Sequence, residues 1–305
     1  MNAKYQNILV LGASGYVGGT LIPELLQQGY RVRAAGRSIG RLHAKEWSAH
    51  PNVKLAEADA LDIESLKKAL EDVDAVYYLV HSMSPQSSDF ARDDRLAAKN
   101  MVKAAEECGV KRIIYLGGLG GADSHLSEHL RSRHEVAQIL GSGPVPTTVL
   151  RAAMIIGAGS VSFQLMRYLV TRLPVMITPR WVRTPSQPIA IKNVIAYLVG
   201  CLDKEETAGQ TYDIGGKEVL SYEDLFQIYA QVAGLRRRWI IRVPVLTPHL
   251  SSLWIHLVTP IPGYIARPLT EGLRNRVVCN DRRILDIIPQ DLLNAREAIS
   301  AALKK

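Results

Sequence analysis

An apolar run, Asn7-Ile8-Leu9-Val10-Leu11, passes directly into Gly12-Ala13-Ser14-Gly15-Tyr16-Val17-Gly18, then into Gly19-Thr20-Leu21-Ile22 and Leu25-Leu26. That order predicts a strand, a glycine-rich turn and the opening of a helix, the context in which such a glycine pattern carries meaning. Gly12 permits a tight turn, Gly15 lets the main chain approach a pyrophosphate, and Gly18 lets the helix pack closely on the strand. The first N–H groups of a helix have no partner within it and face an anion well. The spacing is G-x-x-G-x-x-G, not the G-x-G-x-x-G of the standard fingerprint. The whole stretch from Gly12 to Gly18 is expected to bind a dinucleotide.

The end of the second strand bears on which dinucleotide. Gln28-Gly29 closes the first helix, and Tyr30-Arg31-Val32-Arg33-Ala34-Ala35 reads as strand two. A site for NAD wants Asp or Glu there, to bond the ribose 2′-hydroxyl. This chain has Gly36-Arg37-Ser38, with Arg41 one helical turn beyond Arg37. A guanidinium forks onto a phosphate and gains nothing from a bare hydroxyl. Arg37, Ser38 and Arg41 are therefore expected to favour NADP(H).

Strand and helix patterns keep alternating through the first half. Val53-Lys54-Leu55-Ala56 is a strand and Ile63–Leu70 a helix; Ala75–Val80 is a near-continuous apolar strand, as befits one covered on both faces. A long amphipathic helix runs from Asp89 to Glu107 and stops at Gly109. Arg112–Leu116, a helix around Ser127–Leu140, and Thr147–Arg151 complete the series. The pattern predicts an α/β fold, a Rossmann-like doubly wound parallel sheet. Ligands of such sheets sit beyond the carboxyl ends of the strands. Asp59, Ala60, Val80, His81, Ser82, Leu116, Gly117, Gly118, Ala152 and Ala153 thereby become candidates. Pro23, inside the first helix, is expected to bend it.

At 305 residues and 47% hydrophobic, the chain can bury a substantial core. The expected division is a dinucleotide-binding domain over 1–154. Substrate-side segments and C-terminal helices, mostly helical, follow over 155–305 and return to the sheet near 188–216. No secretory leader and no bilayer-spanning run is expected, and Cys108, Cys201 and Cys279 show no metal spacing. A cytoplasmic protein without a metal site is the expectation.

Charge is unevenly spread. Residues 1–150 carry 17 Lys+Arg and 17 Asp+Glu, whereas 151–305 carry 20 and 12, so the net +8 lies in the second half. The stretch 236–283 holds nine arginines against Glu271 and Asp281, interleaved with Trp239-Ile240-Ile241, Leu253-Trp254-Ile255, Leu257-Val258 and Ile261–Ile265. Basic, apolar and Trp residues together suit an anionic membrane surface or an anionic amphiphile. Nucleic acid is not expected, since none of its binding motifs appears.

The glycine-rich turn, Gly36-Arg37-Ser38 and Val110–Leu116 resemble the atypical short-chain dehydrogenase/reductase superfamily, in its NAD(P)H-binding, NmrA-like branch. Pro188–Val194, Tyr212–Gly216 and the stretch from Leu150 to Trp181 are similar to that superfamily's later segments, the last of these closest to bacterial NAD(P)-binding oxidoreductases. The resemblance covers roughly residues 5–285. It implies the fold and a nicotinamide cofactor more firmly than a reaction. Catalytic members carry Tyr-x-x-x-Lys on the helix after strand five. Here His129-Leu130-Arg131-Ser132-Arg133 stands in that place, so His129 and Arg133 share a helix face. Arg133 can hold the nicotinamide ribose as the Lys does, and a histidine can give a proton near neutral pH. An arginine cannot release its own proton, which closes any relay through it. Ser82 is a further donor.

Three readings follow. The first is an NADPH-dependent reductase of an apolar or anionic small molecule, quinone-like in character, bound by 155–185 and 220–280. The second is a non-catalytic NADP(H) redox sensor with a protein partner. The third is an accessory or assembly protein at a membrane complex. Helices at 89–107 and 126–140 could pair two copies into a homodimer, and a terminal helix is expected within 286–305.

Overall fold

Seven parallel strands form the centre of the computed structural model, which describes residues 4–81, 89–120, 126–243 and 259–304. Ser82, Leu253-Trp254-Ile255 and Leu257-Val258 lie outside the described residues. In chain order the first half contains β1 (Asn7–Leu11), α1 (Tyr16–Gln27), β2 (Arg31–Gly36), α2 (Ile39–His43), β3 (Val53–Glu57) and α3 (Ile63–Leu70). It continues with β4 (Ala75–Tyr78), α4 (Phe90–Glu107), β5 (Arg112–Gly118), α5 (Glu128–Gly141) and β6 (Thr147–Ala152). The second half contains β7 (Ile155–Ile156), α6 (Val161–Arg172), β8 (Val175–Pro179), β9 (Pro185–Ser186), β10 (Ile189–Ala190), α7 (Ile191–Asp203) and β11 (Thr211–Ile214). Last come β12 (Leu220–Ser221), α8 (Tyr222–Val232), β13 (Trp239–Val243), α9 (Gly263–Gly272), α10 (Ile284–Ile287) and α11 (Ala295–Leu303).

The sheet order is β11-β6-β5-β4-β1-β2-β3. From β1 the chain builds outward to β2 and β3, then returns to place β4 on the other side of β1. The direction of winding therefore reverses between β1 and β4, the kind of point where doubly wound sheets hold ligands. Leu11 pairs with Tyr78 across that seam, and the Leu79 N–H donates to Leu11 O at 3.0 Å. The central strands β1 and β4 are buried on both faces, whereas β3 at the edge is only partly covered. Leu21, Ile22 and Leu25 of α1 join Val194, Leu198 and Leu202 of α7 in one core, while α3, α4 and α5 close the other. Each such side chain taken fully out of water contributes about 1.5–3 kcal/mol.

Capping fixes the helix starts. Asp89 accepts from Arg92 N–H, Asp62 from Glu64 N–H and Ser127 from Leu130 N–H. The helix expected to bend at Pro23 runs unbroken from Tyr16 to Gln27. Proline leaves the carbonyl four residues back, Gly19 O, without its helical donor. The indole N–H of Trp47 donates to that oxygen at 3.2 Å.

Within 188–216, Thr211–Ile214 joins the sheet as β11 beside β6, while Ile189–Ala190 pairs separately with β7. The remaining second-half elements form their own core of α6, α8 and α11, including Phe163, Met166, Leu225, Tyr229 and Ile299. It is mostly helical, with three small two-stranded pairings besides, β7–β10, β9–β12 and β8–β13. The terminal helix docks on this body through Ala295, Ala298, Ile299 and Ala302. Among the described residues, no helix is long and apolar enough to cross a membrane.

Candidate functional site

Beyond the strand ends lie two hollows. The first, a cleft of about 440 Å³, is lined by Gly12, Ser14, Gly15, Arg37, Asp59, Ala60, Val80 and His81, all expected from the sequence. Gly12 has φ +95°, and a Cβ there would stand 2.7 Å from Leu79 O. A Cβ at Gly18 would stand 2.5 Å from Gly12 O. Both positions need glycine: one for its backbone conformation and the approach of β4, the other for the fit of α1 against the turn. Gly15 caps α1 without a side-chain bond, and no acidic residue stands in the first turn. Together these features leave an anion-receptive helix start facing the cleft.

Other expected residues fall elsewhere. The phenol of Tyr16 packs against Gly157 and Gly159 and lines a different groove, so its contribution to the cleft is backbone. Ala13 is buried and Val17 packs on the core beneath. Arg37, Ser38 and Arg41 are exposed at the β2 end, and Arg37 reaches the cleft wall. Among the described residues, no carboxylate pairs with Arg37 or Arg41 within salt-bridge distance, which leaves both guanidiniums for an incoming phosphate. Leu116 is packed on the core and Gly117 on the Tyr115 ring.

The second hollow, about 140 Å³, is apolar. Gly118, Ala152 and Ala153 line its floor; Met154, Leu165, Met166, Leu169, Phe226, Leu269 and Leu273 supply its walls. His129 lines it too. His129 Nδ1 stands 3.2 Å from His81 Nε2, so one histidine faces the cleft, the other faces the pocket, and the two are in contact.

Behind the pair is a buried polar cluster. Asp94, 3% exposed, accepts from Ser132 Oγ at 2.8 Å, and its Oδ2 stands 3.3 Å from His81 Nδ1 and 3.6 Å from Arg133 Nη2. Arg133, 7% exposed, donates through Nη1 to Val80 O at 3.4 Å and Tyr115 Oη at 3.3 Å. Tyr115 Oη donates in turn to Arg133 O at 3.3 Å. Tyr115 is core, edge-on to Tyr78. Burial, with Arg133 adding to it against the pull of Asp94, pushes His81 down to about 4. Burial, then His81 and Arg133, push His129 down to about 3. Both rings are therefore neutral at neutral pH, and the counter-charge of Asp94 is Arg133 rather than His81. Burial opposes the charge of Arg133, but Tyr115 and Asp94 outweigh it and hold the guanidinium charged. A carboxylate beside His81 Nδ1 favours the tautomer with its proton there. His81 Nε2 then accepts from His129 Nδ1–H, leaving Nε2 of His129 as the pair's unshared nitrogen.

Sequence reasoning named His81, His129 and Arg133 but not Asp94, or Asp93 in the cleft wall. A signal for Asp94 was present. It occupies the apolar stripe of α4 with Ala91, Ala97, Ala98, Met101, Ala104 and Ala105, where a carboxylate is out of place unless it has a task.

A family model, the NmrA-like family, matches residues 4–247. The chain belongs to the NmrA-like family. Among curated relatives, cinnamoyl-CoA reductase 1 of Petunia hybrida is 29% identical over 120 residues, 38% of this chain. The chain spans only 36% of that relative's length. Photosystem II assembly factor Ycf39 of Synechocystis sp. is 22% identical over 78% of this chain and 71% of its own. Sanguinarine reductase of Eschscholzia californica is 23% identical over 71% and 91%. Among solved structures, the Citrobacter sp. triphenylmethane reductase complexed with NADP(H) superposes with a TM-score of 0.74, at 19% identity, over 97% of this chain and 99% of that one. This last likeness is one of fold.

Proposed function

We propose that this chain is a cytoplasmic NADP(H)-dependent reductase of an apolar or anionic small molecule, quinone-like in character. One observation carries the reading: His81 in the glycine-turn cleft touches His129 in an apolar pocket, a contact that would join a cofactor site to a substrate site. The cleft fits the cofactor. Backbone N–H groups from Ser14 to Gly18 would hold the pyrophosphate, and Arg37 with Arg41 the 2′-phosphate. The reduced nicotinamide, when bound, supplies a hydride.

The chain's own residues would do the rest. Met154, Leu165, Met166 and Phe226 exclude water and orient an apolar acceptor beside His129. Reduction leaves negative charge on that acceptor, and negative charge beside an imidazole raises its hold on a proton. His129, neutral beforehand with its proton on Nδ1, would take up a solvent proton at the unshared Nε2 as that charge develops and pass it to the acceptor, while its Nδ1–H stays bonded to His81 Nε2. Asp94 fixes the tautomer of His81, and Arg133 keeps the Asp94 charge balanced while positioning the end of β4 through Val80 O.

The test is deuterium transfer. The protein is incubated with NADPH labelled at the reactive C4 position and a lipid and small-molecule extract, with a His129→Gln variant alongside. Deuterium in a product that requires His129 supports the reading. Label that stays in bound cofactor with every acceptor sinks it.

A second reading rests on Arg133. Where family enzymes have a lysine that relays protons, this chain has a buried guanidinium that cannot. With the similarity to an assembly factor, that supports an NADP(H)-binding sensor or accessory protein that acts through a protein partner or a second copy. Its mark would be different affinity for oxidised and reduced cofactor, with a partner retained in only one state.

A further inference from the structure

The parallel pair β8–β13 is two-faced. Trp239 stands opposite Val175 and Ile241 opposite Ile177. These four side chains are 75%, 47%, 53% and 53% exposed. The alternate residues turn the other way, Met176 being 2% exposed and Ile240 packed on the subdomain core. Large apolar residues are thus gathered on the solvent side of a small sheet, where polar ones are the rule. The patch does not come from one sequence segment. Ile177 and Trp239 are 62 positions apart and meet only through the strand pairing.

Its surroundings are basic. Arg236 and Arg237 are exposed immediately before β13. Arg183 and Arg242 share one carboxylate, Glu223, at 3.4 and 3.3 Å. Arg242 belongs to the alternate row with Ile240, so among the described residues it is Arg236 and Arg237 that bring positive charge to the edge of the apolar face. Trp beside arginine and branched aliphatic residues suits the boundary between acyl chains and anionic headgroups. A protein partner would need acidic groups set around an apolar centre, whereas an anionic bilayer offers both without further design.

We propose that the Val175/Ile177/Trp239/Ile241 face docks this protein peripherally on an anionic phospholipid surface. The apolar side chains enter the headgroup boundary, and Arg236 and Arg237 meet the lipid phosphates. Nothing in this depends on hydride transfer.

The test is co-sedimentation of the full chain with phosphatidylcholine vesicles, with and without phosphatidylglycerol, at low and high salt. Binding is expected only with the anionic lipid, weakening as salt rises. Tryptophan emission should shift to the blue on binding; Trp239→Phe should remove most of that shift while binding persists. Ile177→Glu and Trp239→Glu should each lower partitioning by about tenfold or more. So should Arg236→Glu/Arg237→Glu, since each basic residue near the surface is worth about fivefold. All these positions are exposed, and retained NADPH binding in the separate cleft shows that a variant folds. Absence of anionic-vesicle binding at low salt overturns the proposal. Undiminished binding by Ile177→Glu and Trp239→Glu does the same. A change from dimer to monomer in those variants, with vesicle binding unchanged, would assign the face to a second copy instead.

Discussion

The Gly12–Gly18 turn and the His81–His129 pair close the same end of the same sheet, yet they are made differently. The turn is backbone: a positive φ, two approaches that exclude a Cβ, and helix N–H groups without partners. The pair is side chain, brought together from the end of β4 and from α5, with support from α4 and β5. Backbone geometry leaves its mark on a contiguous string of residues, because only glycine satisfies it. A side-chain cluster leaves its mark at scattered positions, each of which has a bland explanation when taken alone. The two regions should also fail in different ways.

The largest failure is expected at the turn. Gly18→Val places a branched Cβ where 2.5 Å separates it from Gly12 O, with backbone on both sides and nothing flexible to move. The expected result is loss of NADPH binding by more than about a hundredfold, together with destabilisation above about 3 kcal/mol. Isothermal titration and a denaturant melt check both. A valine variant that still binds cofactor at wild-type affinity would show that the turn does not form the site.

Asp94→Ala should strike the second region through stability first. It strips Arg133 of its counter-charge while Val80 O and Tyr115 still hold the guanidinium in place, at a cost of about 3–5 kcal/mol for an uncompensated buried charge. Cofactor affinity in the surviving folded protein should change little, because Asp94 does not line the cleft. A variant of normal stability would mean that water reaches Arg133 freely.

These two sites also show how much was legible beforehand. The order of strands and helices through β6, the glycine turn and the arginines after β2 followed from local pattern. Ranges moved by a residue or two: β4 stops at Tyr78 and β5 continues to Gly118. What the sequence withheld was pairing at a distance. His81 and His129 were named separately, 48 positions apart, and nothing local says that they touch. The β8–β13 pairing, which turns a basic apolar segment into half of a surface patch, was equally hidden. Tyr16 was a candidate from the glycine turn and Leu116 from the end of the fifth strand; side-chain direction sends one to another groove and the other into the core.

Arg37→Glu would sharpen the comparison within the cleft itself. The phosphate-end backbone stays intact, so the change should alter the choice of cofactor and not its binding as such. NADPH affinity should fall by about ten- to a hundredfold while NADH affinity holds or improves, as expected for loss of a charge-assisted contact worth about 1.5–3 kcal/mol. Equal losses for both cofactors would place the 2′-phosphate elsewhere.

The histidine pair should leave a signature in acid. His81 and His129 sit at about 4 and about 3 in the folded protein, against about 6.5 for an unperturbed imidazole in the unfolded chain. A depressed folded value means that the unfolded state takes up protons first as pH falls. The contribution is complete above about pH 6.5 and is lost as pH drops towards 4 and 3. Each proton is worth at most about 1.4 kcal/mol per pH unit, and partial exposure of the rings reduces that. Denaturant midpoints measured from pH 7 to 4 should fall less steeply in a His81→Gln/His129→Gln protein. An unchanged slope would mean that the pair is hydrated.

The smallest effect tests the support beneath the turn. Pro23 removes a helical donor to Gly19 O, and Trp47 Nε1–H takes its place at 3.2 Å. Trp47→Phe keeps most of the ring's packing and deletes the donor, so it should cost about 1 kcal/mol, the price of one exchanged hydrogen bond. Pro23→Ala restores the backbone N–H and should stabilise α1 by itself, since proline is costly inside a helix. In the Pro23→Ala background Gly19 O already has a donor, and the loss from Trp47→Phe should shrink. That shrinkage is the coupling between the two residues, which a double-mutant cycle measures directly. Strict additivity would mean that Trp47 serves only as packing, and that α1 carries Pro23 with Gly19 O turned towards water.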